Sequence, residues 1–365
     1  MQKWIVTGIS GSERIELLNE LKNYIEKNLD KRVEAYDVGE LIKTECMKNR
    51  KPLIDERILD IDRSLLNCLR SCAIKEIQMN LMKNDNIETH FIGVHATFRW
   101  KNRIIPGILY KDLLSLEPTG LINIHRNIKE IYAANKKNTK WDEDTLPGIE
   151  ATQEWMMEEE FVTEMLADVL GVPMYLISRG HNLDNLADLF LSNKKKIYLS
   201  YPITEVKKEN PQLLEKIQGP ILKKLQELFV VFNPLSINDM PLTYSDTGKE
   251  MSELIDQLTP NEKDIIKKRT IERDFQFIDQ SDAIVVIYMT NKLSAGVLAE
   301  IYYAHRNQTP VFMAFSGKRS PFIEDATDVI EKDIEQLIKR LEKFAHEQIW
   351  KVRQVNNSVT SNENL

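Results

Sequence analysis

Short apolar runs alternate along this chain with longer stretches in which apolar residues recur every three or four positions. Residues 4–7, Trp-Ile-Val-Thr, form such a run and close at Gly8 and Gly11; Ile15, Leu17, Leu18, Leu21 and Ile25 then share one helical face. Residues 33–37 predict a second short strand and 61–82 a long helix. Strands are expected over 87–94, 121–124 and 172–177. An amphipathic helix is expected over 148–170, stopped by Gly171 in the manner of a left-handed C-cap. A short polar, basic stretch, Ser192 to Lys196, reads as a domain boundary, and the alternation then restarts. Strands are predicted over 197–200, 229–232, 283–289 and 310–315. Helices are predicted over 212–228, 262–280 and 297–307, with a terminal one from 330 to about 352.

Strands that alternate with helices pair in parallel, because each right-handed crossover returns the chain to the same sheet edge. The expected architecture is therefore α/β, with two parallel-sheet domains over 1–191 and 196–350, then a disordered tail over 353–365. Residues 234–260 are rich in Asp, Ser, Thr and Pro and long for a plain connection, which suggests an active-site flap.

Composition removes several function classes. With 365 residues the chain can bury two cores. A net charge of −7 leaves no overall footprint for nucleic acid. No apolar run approaches membrane-spanning length, and the N-terminus enters a strand directly, so neither a span nor a leader is expected. Cys68 and Cys72, one helical turn apart, read as buried small residues in a reducing cytoplasm rather than as a disulfide or zinc site. No metal or cofactor is expected.

The chemistry concentrates in residues 273–300. Arg273-Asp274 lies in a helix, Ser281-Asp282 opens a buried strand, and Ser294-Ala-Gly296-Val-Leu-Ala-Glu300 forms a glycine turn and the start of a helix. Open α/β sheets carry their chemistry at the carboxyl ends of strands. A Glu in the first turn there is expected to stay ionised, favoured by the helix dipole, and to serve as a nucleophile. Together with Tyr198 in Ile197-Tyr-Leu-Ser200-Tyr201-Pro, residues 196–316 resemble the nucleoside 2-deoxyribosyltransferases and the related 2′-deoxynucleoside 5′-monophosphate N-glycosidases. The resemblance implies that Glu300 attacks C1′ of the sugar, that Asp274 manages the proton of the base, and that Tyr198 orients Glu300. Ser294 and Gly296 would hold a 5′-phosphate, where the nucleoside transferases carry an acidic residue. Ser200 and Tyr201 would line the substrate. Asp282 reads as structural, and Arg269 and Arg273 as candidate base or phosphate contacts. Related domains complete their sites with a second subunit, which implies a homo-oligomer.

Residues 3–190 resemble an archaeal-type adenylate kinase P-loop domain whose chemistry has eroded. On the pattern G-x-x-x-x-G-K-[ST], Gly8, Gly11, Ser12 and Arg14 remain as candidate nucleotide-binding residues. Glu13 stands at the second glycine of that pattern and Ile15 at its magnesium-binding hydroxyl. In Phe91-Ile-Gly93-Val-His95-Ala-Thr97, Gly93 replaces the acidic residue while His95 persists. The lid region, 128–140, offers only Lys136, Lys137 and Lys140 in place of arginines.

The expected function is cleavage or exchange of the N-glycosidic bond of a (deoxy)nucleoside 5′-monophosphate through a glycosyl-Glu300 intermediate, with a non-catalytic kinase-like domain for sensing or assembly. Three alternatives remain open: an NAD-cleaving effector of antiviral defence using the same site, a non-catalytic nucleotide sensor, and a bifunctional nucleotide kinase and deoxyribosyltransferase.

Overall fold

A computed structural model describes residues 1–49, 53, 57–83, 86–101, 103–138, 141, 145–237 and 259–347. The expected tail at 353–365, Lys140, and most of the expected flap lie outside the described residues. The chain divides into two compact units. Met1–Leu191 and Pro234–Arg273 form one; Ser192–Asn233 and the residues from Asp274 onward form the other. Residues 234–273, grouped by sequence with the second domain, thus cluster with the first.

The first unit is built on strands β1 (Gln2–Thr7), β2 (Val33–Asp37), β3 (Thr89–Gly93), β6 (Gly120–His125) and β7 (Met174–Ser178), all parallel, in the order β2-β3-β1-β6-β7. A small antiparallel hairpin joins β4 (Thr97–Trp100) to β5 (Arg103–Pro106). The second unit has β8 (Lys196–Ser200), β9 (Val230–Phe232), β10 (Ala283–Tyr288), β11 (Val311–Phe315) and β12 (Val329–Glu331), again all parallel, in the order β12-β11-β10-β8-β9. Strands β6, β10 and β11 are buried at every position. That is the signature of sheets covered on both faces, and it explains why these strands read as continuous apolar runs.

Both sheets reverse direction around their first strand. From β8 the chain goes out to β9 on one side and returns to β10 on the other. The crevice at such a reversal lies beyond the carboxyl ends of β8 and β10, where ligands of open α/β sheets bind. Asp282 sets this pair: its backbone N–H donates to Lys196 O, and its carboxylate accepts from Lys196 N at 2.7 Å. It is structural, as the sequence suggested.

Three elements differ from the sequence pattern. Residues 212–228 are not one helix: Pro211–Lys216 and Leu222–Leu228 flank a π-turn over Ile217–Ile221. Pro220 lacks the N–H that a regular turn needs, and the Leu222 N–H reaches back to Ile217 O. Ile330 lies in β12, and the terminal helix is Ile334–His346. Cys68 is exposed rather than buried, because the helix Arg63–Lys83 turns Leu66, Leu69, Ala73 and Ile74 inward instead. Among the described residues, no helix is long and apolar enough to cross a membrane.

The hairpin is tied down at Gly107, whose N–H donates to Ala96 O at 2.7 Å. A Cβ there would sit 1.9 Å from the His95 carbonyl oxygen, which is backbone and cannot move aside cheaply. Gly107→Ala is expected to lower stability by about 2 kcal/mol or more, measured by urea denaturation of the intact chain.

Candidate active site

Strand alternation puts Tyr198 and Ser200 on one side of β8, and both are fully buried. Across the switch point, the turn after β10 leads into the helix Ala295–Arg306, which carries Glu300. The three side chains meet. The Tyr198 hydroxyl donates to Glu300 Oε1 at 3.0 Å, and Ser200 Oγ donates to Oε2 at 2.5 Å. Each carboxylate oxygen thus has one hydroxyl donor.

Glu300 lies in the second turn of its helix, not the first, so the dipole that was expected to keep it ionised has largely decayed. The residue as a whole is half-buried, while its carboxyl group is deep enough for burial to dominate its titration. Burial, with the charge of Asp274 adding to it, pushes the Glu300 carboxyl up to about 8, against the opposing pull of Ser200 and Tyr198. The expectation of a permanently ionised Glu300 is therefore corrected. Burial and the nearby Asp274 thus favour a proton on Glu300 at neutral pH.

Ser294 occupies the N-cap position, yet its side chain makes no capping hydrogen bond. Its N–H instead donates to the Tyr288 hydroxyl at 2.7 Å, and that hydroxyl donates to Lys292 O at 2.9 Å. The turn before it is fastened from outside by Glu209, which accepts from Thr290 Oγ1 and pairs with Lys292 Nζ at 3.0 Å. Gly296 is exposed, and a Cβ added there would meet nothing within 4 Å. Gly296 and Glu300, four residues apart, share one helix face.

Tyr201 does not present its hydroxyl to a substrate. It is 3% exposed; it donates to Asn233 Oδ1 at 3.2 Å and accepts from Gln218 Nε2. Arg269 is engaged by Glu160 at 2.7 Å and Glu272 at 2.8 Å, and Arg273 is buried.

In the first unit the loop after β1 is filled by the chain's own side chains. Gly11 has φ +85°, and Glu13 holds φ +56° where the pattern has a glycine, a strained choice for an L residue. Gly8 N–H donates at 3.0 Å to Glu159, a fully buried carboxyl that also accepts from the Ala96 and Thr97 N–H groups and from Thr97 Oγ1. Arg14 is buried and donates to Gly8 O at 2.5 Å. Asn135 and Arg126 hold the carbonyls of Ser10 and Gly11. Glu13 neutralises both nearby arginines, Arg126 at 2.8 Å and Arg179 at 3.3 Å. Ser12 is buried, and its hydroxyl is left without a partner.

Beside this loop, a cavity of about 180 Å³ is lined by Arg14, His95, Phe98, Trp100, Trp141, Trp155 and Arg70. Arg70 is 3% exposed; its Nε and Nη2 have no partner, and burial lowers its affinity for its proton, to a pKa of about 10. Sequence reasoning missed Arg70 and Glu159. Among the described residues, no group of three His, Cys, Asp or Glu is arranged to hold a metal.

No protein-family model matches the chain, and no curated protein is similar to it in sequence.

A carboxyl whose folded value exceeds its unfolded one weakens the fold as pH rises from the ordinary carboxylate range to the raised value, because only the unfolded chain gains the favourable ionisation. Glu300→Gln removes this penalty. The variant is expected to melt at about the wild-type temperature near pH 4.5 and a few degrees higher at pH 8, a gap that widens across that window in paired thermal melts.

Proposed function

We propose that the second unit cleaves or exchanges the N-glycosidic bond of a (deoxy)nucleoside 5′-monophosphate. One observation carries this reading: at the sheet's switch point the Glu300 carboxyl is gripped by two hydroxyls and lies within the field of a second carboxyl, Asp274. Such a pair divides the labour of glycosyl transfer. The proton held by Glu300 passes to Asp274 as substrate enters. The Glu300 carboxylate then forms a bond to C1′ while the C1′–N bond breaks, and its electron pair leaves with the base, which takes the proton from Asp274. Water or a second base attacks C1′ next: the bond from C1′ to the Glu300 oxygen breaks, its electron pair returns to the Glu300 carboxylate, and the attacking group gives its proton to Asp274. Tyr198 and Ser200 keep the attacking oxygens in place. The uncapped helix start at Ser294 and the open approach over Gly296 favour a phosphate there. Assembly of copies around this site belongs to the same proposal.

A second reading covers the first unit, where the aromatic cavity with Arg70, two of whose nitrogens have no partner among the described residues, favours ligand sensing without phosphoryl transfer. Three of the chain's five tryptophans line that cavity. A purine mononucleotide is expected to change the tryptophan emission of the wild type but not of Arg70→Leu. No magnesium-dependent transfer from ATP to AMP or dAMP is expected. Transfer that disappears in Arg14→Ala would overturn this reading.

For the glycosyl site, Glu300→Gln is expected to abolish base release, read by chromatography over nucleosides, nucleotides and NAD; near-wild-type turnover would sink the proposal. The proposed step uses the proton that Glu300 holds, so kcat/KM is expected to fall above about pH 8 as that proton is lost. Ser294→Asp sets a carboxylate against the phosphate and is expected to cost nucleotide cleavage about a hundredfold, with far less loss on the matching nucleoside. Equal losses on both would reduce Ser294 to a helix cap.

A further inference from the structure

The helix Ile149–Leu170 in the first unit reverses the usual division of inside and outside. Its buried positions include Thr152, Gln153, Glu159 and Thr163 beside Trp155, Leu166 and Ala167. Its exposed positions include Met157, Phe161, Met165 and Val169, with 41, 66, 45 and 59% of their surface in water. The polar groups inside are satisfied. Glu159 accepts from three backbone N–H groups and the Thr97 hydroxyl, and Thr163 shares a hydrogen bond with Thr7 at 2.8 Å. The apolar side chains outside have no such account within the fold. Single exposed apolar residues are ordinary, but a contiguous row of large ones marks an interaction site.

Residues four apart follow one another along a helix surface, so these four form one ridge, about 18 Å long and inclined at about 26° to the axis. The incline leaves a corner on each side. Glu154 and Glu158 border the N-terminal half of the ridge, and Glu164 and Asp168 border its C-terminal half from the opposite side. Arg99 pairs with Glu154 at 2.8 Å and Glu158 at 2.6 Å, and so answers one of the two charges in that corner. The helix itself carries seven carboxyl side chains and no Lys or Arg.

We propose that this ridge docks a basic amphipathic helix of another protein. Charge selects the occupant. A second copy of the chain would pair the patch with itself about a two-fold axis and set carboxylates against carboxylates. An anionic lipid surface would be repelled in the same way. A helix with its own apolar ridge flanked by Lys or Arg meets neither obstacle. Two such ridges interdigitate at a crossing angle of about 50°, which carries the cations of the partner over the acidic corners. The side chains suit the contact. Phe161 lies near the middle of the ridge and supplies a large apolar surface, and the unbranched methionines on either side adapt to the partner's shape. This docking depends neither on the glycosyl-transfer reading nor on a ligand in the aromatic cavity.

The test uses the intact chain and a fluorescein-labelled peptide of about 20 residues, long enough as a helix to span the ridge. The peptide is built from Leu and Lys so that it has one apolar and one basic face. Its control has the same composition in an order that leaves no apolar face. Fluorescence anisotropy is expected to show micromolar binding of the first and binding of the control weaker by about tenfold or more. Phe161→Gln combined with Met165→Gln is expected to cost about tenfold or more in affinity. Glu164→Gln combined with Asp168→Asn is expected to cost several-fold and to flatten the dependence on salt. All four positions face water, so the thermal melts of both variants are expected to stay close to wild type. Equal binding of peptide and control overturns the proposal, as does unchanged binding by both variants. A dimer seen in sedimentation velocity and dissolved by the Phe161, Met165 variant would assign the ridge to a second copy. Co-sedimentation with phosphatidylserine-containing vesicles, lost in the same variant, would assign it to lipid. Either result overturns the proposal.

Discussion

A carboxyl group drawn out of water beside a second carboxyl is costly, and the second unit is organised around keeping one there. Removal from water and the charge of Asp274 both favour the neutral form of Glu300, while Tyr198 and Ser200 favour the ionised one. Neither side wins by much near neutral pH. Such a balance suits the nucleophile role proposed for Glu300, which requires a carboxyl that can both hold and surrender a proton near neutral pH. The switch point of the sheet makes it possible, since it lets β8 supply both hydroxyls from one face while the helix after β10 supplies the carboxyl.

Glu159 in the first unit shows the other outcome. It too is fully buried, and burial raises its hold on a proton. Its neighbours differ. Three backbone N–H groups and the Thr97 hydroxyl donate to it, and its strongest charged neighbour is the cation Arg14 rather than a second carboxyl. A buried carboxylate with that many donors is a structural rivet, joining the loop at Gly8 to the start of the hairpin at Thr97. The difference between a rivet and a reactive group lies in the donor count and the sign of the nearest charge, not in burial.

The sheets were legible in the sequence because strands buried on both faces leave near-continuous apolar runs; residues 283–289 are of this kind, and 121–124 are broken only by Asn123. Tyr198 and Glu300 were legible as a pair only through family resemblance, since nothing local ties residues a hundred positions apart; Ser200, expected to line the substrate, grips Glu300 instead. The terminal helix was extended too far back because Val329-Ile330, set between Asp328 and Glu331, fits a helical period as well as a three-residue strand. Glu159 was hidden within Glu158-Glu159-Glu160, a run that looks like a solvated face. In the fold Glu158 pairs with Arg99 while Glu159 points inward. Arg70 was hidden for a similar reason: a lone cation among Leu66, Leu69, Ala73 and Ile74 looks like a residue on the opposite face. The hydrogen bonds of Tyr201 with Gln218 and Asn233 could not be read at all, because they depend on where a proline-disturbed turn returns a side chain.

The first unit's loop region is packed by its own side chains. A Cβ at position 93 would fall 2.5 Å from Ile15 Cδ1 and 3.4 Å from Arg14 Nε. Ile15 thus occupies the space beside Gly93, and a larger residue at 93 would have to displace the end of that side chain. The Glu159 rivet and the pairing of Glu13 with Arg126 and Arg179 close the same region from two further sides. What stays open is the neighbouring aromatic cavity, where Arg70 Nε and Nη2 have no partner among the described residues.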